Sequence, residues 1–537
     1  MPPPTSSDSA EVRCRRLAEA LRRLLQRAGD PPVAAIETHI SWVLLDGRFA
    51  WKIKKPVRLG FLDFEDLATR KRYCDEELRL NRRLAPQLYL EVVPIVGSVD
   101  APQLGGAGEP IEYAVKMRQF EPGALLSERL AAGRLDAAQL ERLAGRLAHF
   151  HDEAPAAGAD TPFGSAARIE ADTTQVLDGL AAFVAPAVLS ALRERLDARA
   201  RRLRPLFERR KAAGRVREGH GDLHLANAVA LGDDITAFDC IEFDPGLRWI
   251  DVCSDIAFLA MDLLAHDRPD LAFRFLDAWL AASGEHDGLP ALRYYLVYRA
   301  LVRALVARIR AAQARGPGAH PADHPGGPDY LGLAQRLERE HDPRLLVTHG
   351  LSGSGKSHLS QRLLERAGAI RLRSDVERKR LFGLGALHDA SAGPGEGIYA
   401  ADATQRTYER LLALAMHSLD AGYPTIVDAT FLRARERDAF RDAARSRGVP
   451  FTILHCRAEP SLLRERVAGR HAGRSDASDA DLAVLERQLA GREPLRDDER
   501  AVAIEVDTGQ PVDVDALAAR WLEQRQESGP RAAAPRC

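Results

Sequence analysis

The chain has 537 residues, of which 45% are hydrophobic and 28% charged, and its formal net charge is −1. This composition is that of an ordinary globular protein, so it excludes a mainly disordered or fibrous chain. The 76 basic and 77 acidic residues leave no basic excess, and no nucleic-acid partner is expected from charge. Only eight of the basic residues are lysines, so a lysine marks a candidate position where arginine cannot substitute.

The spacing of the cysteines and the lengths of the apolar runs bear on the cellular compartment of the protein. None of the six cysteines forms a CxxC pair, and their spacing fits neither a zinc site nor a disulfide framework. Reduced thiols are typical of cytosolic proteins. No run of 18 apolar residues occurs, and residues 1–10 carry no apolar signal-peptide core. We therefore expect a cytoplasmic protein without a membrane partner.

The first part of the chain, up to about residue 310, predicts strands followed by helices. An amphipathic helix comes first, with leucines 17, 21, 24 and 25 on one stripe. The strand-like segments that follow are Ile40–Leu45, Ala50–Ile53, Val92–Val96 and Glu112–Arg118. Most of the remainder is helical in pattern, which favours an α+β body with two lobes.

Three of the eight lysines cluster at the second strand candidate. The alternation of a strand places Lys52 and Lys54 on the same face, opposite Trp51. A strand lysine in kinases pairs with nucleotide phosphates and with a helix glutamate, and the helix predicted over 70–84 offers Glu77 for that role. A solvated basic edge strand is the alternative interpretation.

A second candidate site reads His-Gly-Asp-Leu-His-Leu-Ala-Asn at residues 220–227. Its Asp and Asn lie five residues apart, as in a kinase catalytic loop. In that chemistry Asp222 orients and deprotonates an acceptor hydroxyl, while Asn227 holds Mg²⁺. An Asx-rich turn is the alternative interpretation. A strand-like stretch over 235–243 follows, and the candidates for a second metal carboxylate are Asp239, Glu242 and Asp244.

A Gly- and Pro-rich segment at 311–328 has no apolar periodicity and predicts a linker. Beyond it, strand candidates alternate with helical patterns, which indicates an α/β domain with a parallel sheet. These strand candidates are Leu345–Thr348, Thr425–Asp428, Phe451–His455 and Ala503–Val506. The sequence thus predicts two domains, at 1–335 and 336–537.

Directly after the first of these strands, residues 350–357 match GxxxxGK[ST], a phosphate-binding loop. Glycines allow backbone N–H groups to turn inward around phosphate oxygens, Lys356 reaches the β- and γ-phosphates, and Ser357 ligates Mg²⁺. The helix expected after the loop directs its positive dipole end at the anion. The residues predicted to bind nucleotide here are Gly350, Ser352, Gly353, Ser354, Gly355, Lys356 and Ser357.

Two carboxylates stand where later strands end. Asp375 is a candidate general base for an acceptor hydroxyl, and a residue that caps the following helix is the alternative. Asp428 would contribute to the Mg²⁺ shell or bind substrate, and a simple turn residue is the alternative.

Arginines cluster after the strand candidate that ends at residue 455. Such a cluster can close over phosphates as a lid and neutralise charge in the transition state. A solvated helical face is the alternative in a chain this rich in arginine. The arginines in question are Arg464, Arg466, Arg470 and Arg474.

The order of these motifs resembles that of the P-loop kinases related to zeta toxins, phage-type polynucleotide kinase and gluconate kinase, over residues 343–527. The resemblance implies that Asp375 is the general base and that the arginines form the lid. The first part resembles the aminoglycoside phosphotransferase superfamily, which has a protein-kinase-like fold. The chain as a whole resembles two-part bacterial proteins in which such a domain is fused to a P-loop domain of the AAA family ATPase type.

The first part departs from its superfamily in two ways. No GxGxxG loop precedes Lys52, so another segment such as residues 38–41 is expected to cover the phosphates. The superfamily places its metal aspartate in an Ile-Asp-apolar triplet ahead of an Asp-Leu-Ala. Here Asp255 begins the Asp-Ile-Ala counterpart, but Glu242 occupies the aspartate position of the triplet, and Asp239 is the alternative ligand.

Three hypotheses about function follow. The first is an ATP- and Mg²⁺-dependent phosphotransferase with two nucleotide-binding modules that act on hydroxyl groups of small molecules. In the second, only the P-loop module is a kinase or ATPase, and the first module is a nucleotide-sensing pseudokinase. The third is a kinase for 5′-hydroxyl ends of nucleic acids, against which the near-zero charge and the lack of interleaved aromatic and basic residues argue.

Overall fold

The computed structural model describes residues 10–29, 31–59, 62–315, 327–339, 341–385, 398, 400–470 and 481–524. These residues form two compact units. The first contains the chain to residue 146 together with 150–165 and 209–255, and the second contains 147–149, 166–208 and the chain from residue 256. The predicted domains 1–335 and 336–537 do not coincide with these units, and a domain boundary near residue 335 stays a prediction.

Up to residue 251 the chain alternates helices with short antiparallel strands. In chain order the elements are α1 (Ala10–Leu25), β1 (Ala34–Glu37), β2 (Ser41–Leu45), β3 (Phe49–Lys54), β4 (Arg58–Leu59), β5 (Leu62–Asp63), α2 (Leu67–Asn81), β6 (Tyr89–Gly97), β7 (Pro102–Leu104), β8 (Glu112–Arg118), α3 (Leu126–Ala131), α4 (Ala137–Glu153), α5 (Ala166–Leu180), α6 (Pro186–Ala212), β9 (Val216–Glu218), β10 (Ala228–Leu231), β11 (Asp234–Ala237), α7 (Pro245–Arg248) and β12 (Trp249–Asp251).

The rest of the chain is helical up to the P-loop region and then alternates strands with helices. Its elements are α8 (Val252–Ala265), α9 (Pro269–Ser283), α10 (Leu289–Arg315), α11 (Tyr330–Arg339), β13 (Leu345–His349), α12 (Lys356–Ala367), β14 (Ile370–Arg373), α13 (Ser374–Leu381), α14 (Ala401–Asp420), β15 (Thr425–Asp428), α15 (Ala434–Ser446), β16 (Phe451–Arg457), α16 (Pro460–Arg470), α17 (Leu482–Gly491), α18 (Asp497–Arg500), β17 (Ala503–Asp507) and α19 (Val514–Glu523).

An antiparallel sheet in the order β1-β2-β3-β8-β6-β7 forms the centre of the first unit. Strand β3 pairs with β2 on one side and β8 on the other, so Lys52 lies opposite both Val43 and Val115. The lysine strand is therefore an interior strand, and the alternative of a solvated edge strand is wrong. Helix α2 packs on β6 and β8, and the Asp66 side chain caps it by accepting a hydrogen bond from the Thr69 N–H.

Strand β11 ends at Ala237, although the sequence pattern predicts a strand over 235–243. Asp239 has a φ of 65°, in the left-handed region that interrupts extended pairing. The neighbouring backbone bonds to the 220–227 loop instead, because the Phe238 N–H donates to the Asn227 carbonyl and the Ile241 N–H to the His220 carbonyl. This turn brings Asp239 to the catalytic-loop motif.

A five-stranded parallel sheet in the order β14-β15-β13-β16-β17 forms the core of the P-loop region. The predicted fold class, an α+β part followed by an α/β P-loop part, is confirmed. The sheet's central side chains are fully buried, as Leu346, Ile426 and Leu454 show. Because parallel strands end at one edge, the P-loop after β13, Arg373 at the end of β14 and Asp428 at the end of β15 meet there.

Helices from both sides of the predicted linker pack in the second unit, where α9 contacts α12 and α10 contacts α11. Helix α10 continues to Arg315, beyond the predicted start of the linker at residue 311, and residues 316–326 lie outside the described residues. Over the described part of the chain, no helix combines the length and apolar character that a membrane span requires.

Candidate active sites

Asp255, at the start of α8, anchors the 220–227 loop. Its buried carboxylate accepts the backbone N–H groups of His220 at 2.7 Å and Gly221 at 3.0 Å, and it lies 3.0 Å from Nε2 of His151. Gly221 has a φ of 86°, and a Cβ there would lie 2.7 Å from the Leu247 carbonyl oxygen. The turn therefore requires glycine, and it is held on a fixed carboxylate.

The charge state of that anchor follows from its surroundings. Burial alone raises the pKa of Asp255, but the hydrogen bond from His151 and the favourable interactions with His151 and His220 outweigh it, so the pKa lies well below its usual range. Burial also lowers the pKa of His220. Asp255 is thus ionised at neutral pH and able to hold the loop.

The structure brings Asp222 and Asn227 into direct contact. The side-chain amide of Asn227 donates to the Asp222 carbonyl at 3.0 Å and to its Oδ2 at 2.9 Å. Asn227 is buried, whereas the Asp222 side chain is 37% exposed, and Nε2 of His224 lies 3.4 Å from Asp222 Oδ2. A partly exposed carboxylate with one oxygen held in place suits a group that accepts a proton from a bound hydroxyl.

Both lysines predicted for nucleotide binding pair with Glu77 on α2. Lys52 Nζ lies 2.8 Å from Glu77 Oε1 and 2.6 Å from Asp239 Oδ1. Lys54 Nζ lies 2.7 Å from Glu77 Oε2 and also pairs with Glu242. The structure therefore joins five residues from three distant segments into one network of two lysines and three carboxylates.

Burial and the neighbouring charges shift the pKa values of this network in opposite directions. Burial alone lowers the pKa of Lys52, but Asp239 and Glu77 raise it well above its usual value. Burial raises the pKa of Glu77, yet the two lysines lower it to about 2. The pKa of Glu242 is raised by burial, which Lys54 opposes. With every group ionised the network has a net charge of −1, which favours a nearby cation.

The three candidate metal carboxylates occupy different surroundings. The side chain of Asp239 is 40% exposed beside Lys52, whereas that of Glu242 is 4% exposed against Lys54. Asp244 caps α7, because its side chain accepts the Gly246 N–H at 2.7 Å. Of the three, only Asp239 combines contact with Lys52 and access from solvent.

The P-loop forms a backbone cradle between β13 and α12. Gly350, Gly353 and Gly355 have φ values of 149°, 83° and 80°. A Cβ would lie 2.5 Å from the Cys456 carbonyl oxygen at Gly350 and 2.8 Å from the Leu463 carbonyl oxygen at Gly353. The glycines thus allow a close backbone turn that other residues would prevent.

Two side chains of the loop complete the cradle. Lys356 Nζ donates to the Leu351 carbonyl at 2.7 Å, so its ammonium folds back over the loop. The buried Ser354 hydroxyl has no hydrogen-bond partner within the described residues. A glycine-rich backbone turn, an ammonium and a buried hydroxyl without a partner in the described residues fit a phosphate group.

The carboxylates of this site lie at the ends of neighbouring strands. Asp428 Oδ2 is 3.1 Å from the Ser360 hydroxyl and 3.9 Å from Arg373 Nε. Asp375 lies half-buried in the first turn of α13, whose N-cap is Arg373 rather than Ser374 or Asp375. Asp375 therefore does not cap the helix, and the alternative reading as an N-cap is wrong.

The four lid candidates fall into separate surroundings. Arg466 donates to the Gly353 carbonyl at 3.2 Å and to the Thr508 carbonyl at 2.7 Å, so it braces the P-loop backbone. Arg464 forms an exposed pair with Glu486. Arg470 ends α16 with its side chain outside the described residues, and Arg474 lies wholly outside them.

Several residues that contact the P-loop or lie beside it belong to no sequence motif. Thr508 follows β17 and donates to the Ser354 carbonyl at 3.1 Å, and Gln488 accepts the Ser352 N–H at 2.8 Å. His349 ends β13 and contacts His455 on β16 through their Nδ1 atoms. Thr508 and His349 each stand at the carboxyl end of a parallel strand, and that position is the signal that identifies them.

Sequence comparisons cover both parts of the chain. The AAA_33 family of AAA domains matches residues 345–495. Uncharacterized protein Rv2004c of Mycobacterium tuberculosis (strain ATCC 25618 / H37Rv) is 30% identical over 466 residues, which are 86% of this chain and 91% of that protein. Uncharacterized protein Mb2027c of Mycobacterium bovis (strain ATCC BAA-935 / AF2122/97) matches with the same values.

Solved structures match the two parts separately. A sugar kinase from Janibacter sp. HTCC2649 is 25% identical and covers 33% of this chain and 94% of its own, with a TM-score of 0.26. A choline/ethanolamine kinase family protein from Mesorhizobium loti is 14% identical and covers 60% of this chain and 92% of its own, with a TM-score of 0.34.

Proposed function

The chain belongs to the same family as the mycobacterial proteins Rv2004c and Mb2027c, and we propose that it is an ATP-dependent phosphotransferase with two nucleotide-binding modules. Each module acts on a hydroxyl group of a small molecule. The observation that carries the proposal is the chain of contacts from Glu77 through Lys52 to Asp239. It supplies the first module with a phosphate lysine and a partly exposed carboxylate, which favours catalysis over a pseudokinase role.

In the first module, Asp222 accepts the proton of the acceptor hydroxyl as the acceptor oxygen attacks the γ-phosphorus of ATP; the bond between that phosphorus and the β–γ bridging oxygen breaks, and ADP leaves. Asn227 orients Asp222, and Asp255 fixes the loop that carries both. Lys52 binds the phosphates while Glu77 holds its ammonium in place. Asn227 and Asp239 would hold Mg²⁺, which supplies neutralisation of phosphate charge when bound. Glu242 neutralises Lys54 rather than serving as a metal ligand.

In the P-loop module, backbone N–H groups of Gly353, Gly355, Lys356 and Ser357 donate to phosphate oxygens, and Lys356 adds its charge at the β- and γ-phosphates. Ser357 and Asp428 would hold Mg²⁺. Asp375 accepts the proton of the second acceptor hydroxyl. Arg466 keeps the loop backbone in the shape that this binding requires.

The test is an untargeted phosphorylation screen. The full chain is incubated with ATP, Mg²⁺ and a mixed metabolite pool, and products that gain one phosphoryl group are identified by mass spectrometry for the wild type, Asp222→Asn and Asp375→Asn. We expect each variant to lose a different set of products. Products that depend on Asp375 alone would identify the first module as a pseudokinase, and products that depend on neither residue contradict the proposal.

A parallel incubation with 5′-hydroxyl oligonucleotides separates the third hypothesis from the first two. We expect no labelled ends, because the chain has no basic excess to bind a nucleic-acid backbone. Labelling that Asp375→Asn abolishes would instead show that the P-loop module is a nucleic-acid end kinase.

A further inference from the structure

An ion pair inside the second unit connects helix α9 to the P-loop region. Asp277 on α9 accepts two hydrogen bonds from the Arg371 guanidinium on β14, at 3.2 Å from Nε and 2.6 Å from Nη2. Both side chains are largely buried, with 11% and 5% of their surfaces exposed. A two-point pair of this kind fixes the plane of the guanidinium, and thus where its third nitrogen points.

That third nitrogen faces the start of the P-loop helix. Arg371 Nη1 donates to the Ser357 carbonyl at 3.2 Å and to the Ser360 hydroxyl at 3.4 Å. The Ser360 hydroxyl in turn lies 3.1 Å from Asp428 Oδ2. A serine hydroxyl has one proton to give, and the Ser360 hydroxyl has two acceptors at 3.1 Å, the Ser357 carbonyl and Asp428 Oδ2. Because Arg371 already donates to the Ser357 carbonyl and to the Ser360 hydroxyl, it favours donation of the Ser360 proton to Asp428 over donation to Ser357.

We propose that Asp277 is a positioning residue for the P-loop site, acting through Arg371 on Ser357, Ser360 and Asp428. The proposal rests on the proposed function of this site, because Ser357 and Asp428 are the groups assigned there to the metal. Asp277 precedes the predicted linker, so a residue of the predicted first domain completes the nucleotide site of the second. Residues 336–537 alone lack this contact.

Helix α9 also carries a matched control. Arg274 on α9 pairs with Glu365 on α12 at 2.5 Å, with 13% and 15% of their side chains exposed. Glu365 lies five residues beyond Ser360, about 7.5 Å further along the helix axis. Glu365→Gln removes a carboxylate from this interface as Asp277→Asn does, but away from Ser357 and Asp428.

The first measurement needs no nucleotide or metal. Hydrogen–deuterium exchange of residues 354–361 is followed in the full chain for the wild type, Asp277→Asn and Glu365→Gln. We expect about tenfold faster exchange in Asp277→Asn, the effect of losing one charge-assisted hydrogen bond. Exchange in Glu365→Gln should match the wild type there. Equal exchange in all three proteins, or equal acceleration in both variants, would overturn the proposal.

The second measurement is the Mg²⁺-dependent ATP turnover that Lys356→Ala removes. Asp277→Asn should lower its kcat about tenfold and raise the half-saturating Mg²⁺ concentration, as is typical for partners of metal ligands. Glu365→Gln should leave both unchanged, and Asp277→Glu should restore most of the loss. A kcat and Mg²⁺ dependence of Asp277→Asn equal to the wild type would contradict the inference.

The two measurements separate this inference from the proposed function. A wild type without Lys356-dependent turnover would refute the proposed function, while the exchange measurement still decides the role of Asp277. If Asp277→Asn does not fold, Arg371→Lys takes its place with the same expectation. That variant keeps a positive charge but loses the two-point geometry.

Discussion

The two lysines proposed to contact phosphate are held in opposite ways. Lys52 pairs with Glu77 and with Asp239, which lies 187 positions further along the chain. Lys356 donates to the carbonyl of Leu351, only five positions away. The first site is therefore assembled by tertiary structure, and the second by the backbone of one contiguous loop.

This difference predicts how each site fails. In the first network the two lysines, Glu77 and Glu242 are largely buried, whereas Asp239 is partly exposed, so removing a partner of one of the buried groups leaves an uncompensated buried charge. In the P-loop the backbone turn depends on its glycines, so substitution of Lys356 removes a charge proposed to bind phosphate while the backbone of the loop is kept. We expect the first site to couple catalysis to stability, and the second to lose nucleotide binding without unfolding.

The largest effect should appear in binding stoichiometry. The wild type is expected to bind two molecules of a non-hydrolysable ATP analogue per chain in isothermal titration calorimetry. Lys356→Ala and Lys52→Met should each lose one site, with affinity there reduced roughly 10²- to 10³-fold, because each removes a preorganised charge at the phosphates.

The control for that experiment is Lys71→Ala, since Lys71 pairs with Asp75 on the exposed side of α2. It should keep both sites. A single site in the wild type, or the loss of both sites in either variant, would show that the two lysines do not serve separate modules.

The second prediction separates Lys54 from its neighbour Lys52. Lys54→Met leaves Glu242 buried without its partner, and we expect it to lower the free energy of unfolding of the first unit by about 3–5 kcal/mol. The double variant Lys54→Met/Glu242→Gln should recover much of this loss. Denaturant unfolding monitors both. A Lys54→Met protein of wild-type stability would mean that this pair does not hold the network together.

Sequence alone locates the P-loop, because its chemistry depends on a contiguous pattern of glycines and a lysine. It also places most strands of both sheets to within a few residues, as at Glu112–Arg118 and Thr425–Asp428, since alternation and apolar runs are local properties, but it misses the short strands β1, β7 and β14. The choice between Asp239 and Glu242 as the second metal carboxylate depends on contacts between segments that are distant in the sequence. The left-handed turn at Asp239 lies inside an apolar run that predicts a strand, and only its contact with Lys52 distinguishes it.

The other residues that the sequence does not predict as part of the P-loop site are brought there by contacts between helices and strands. Asp277 and Arg371 are separated by 94 positions, and neither belongs to a motif. The pairing of β13 with β16 sets His349 opposite His455, and it follows from strand order, which single-sequence patterns do not encode. These residues can be identified as neighbours of the P-loop site only when the order of the parallel strands is known.

The third prediction concerns that histidine pair beneath the P-loop. Burial and the proximity of His455 lower the pKa of His349 to about 3. The unfolded chain binds a proton at this imidazole below about pH 6.5 and the folded chain does not, so stability falls as pH decreases from 6.5 towards 3. Between pH 6.5 and 5 this single group should cost the wild type about 1.5 kcal/mol.

His349→Gln removes that titration, so its stability should depend less steeply on pH over the same range. Thermal and denaturant unfolding at several pH values measure the difference, with His358→Gln on the exposed side of α12 as the control. Parallel pH profiles for the wild type and His349→Gln would contradict the assignment of a neutral, buried imidazole at His349.

The smallest effect should distinguish two arginines of α16. Arg466 donates to the Gly353 carbonyl and to Thr508, so Arg466→Ala should weaken binding of the ATP analogue at the P-loop about fivefold, the equivalent of one hydrogen bond of about 1 kcal/mol. Arg464 pairs with Glu486 at the surface, and Arg464→Ala should leave affinity unchanged. If both variants lost the same affinity for the ATP analogue, the two arginines would act together as a lid. Nucleotide binding by the P-loop module would then depend, like that of the first module, on charged side chains from outside the loop.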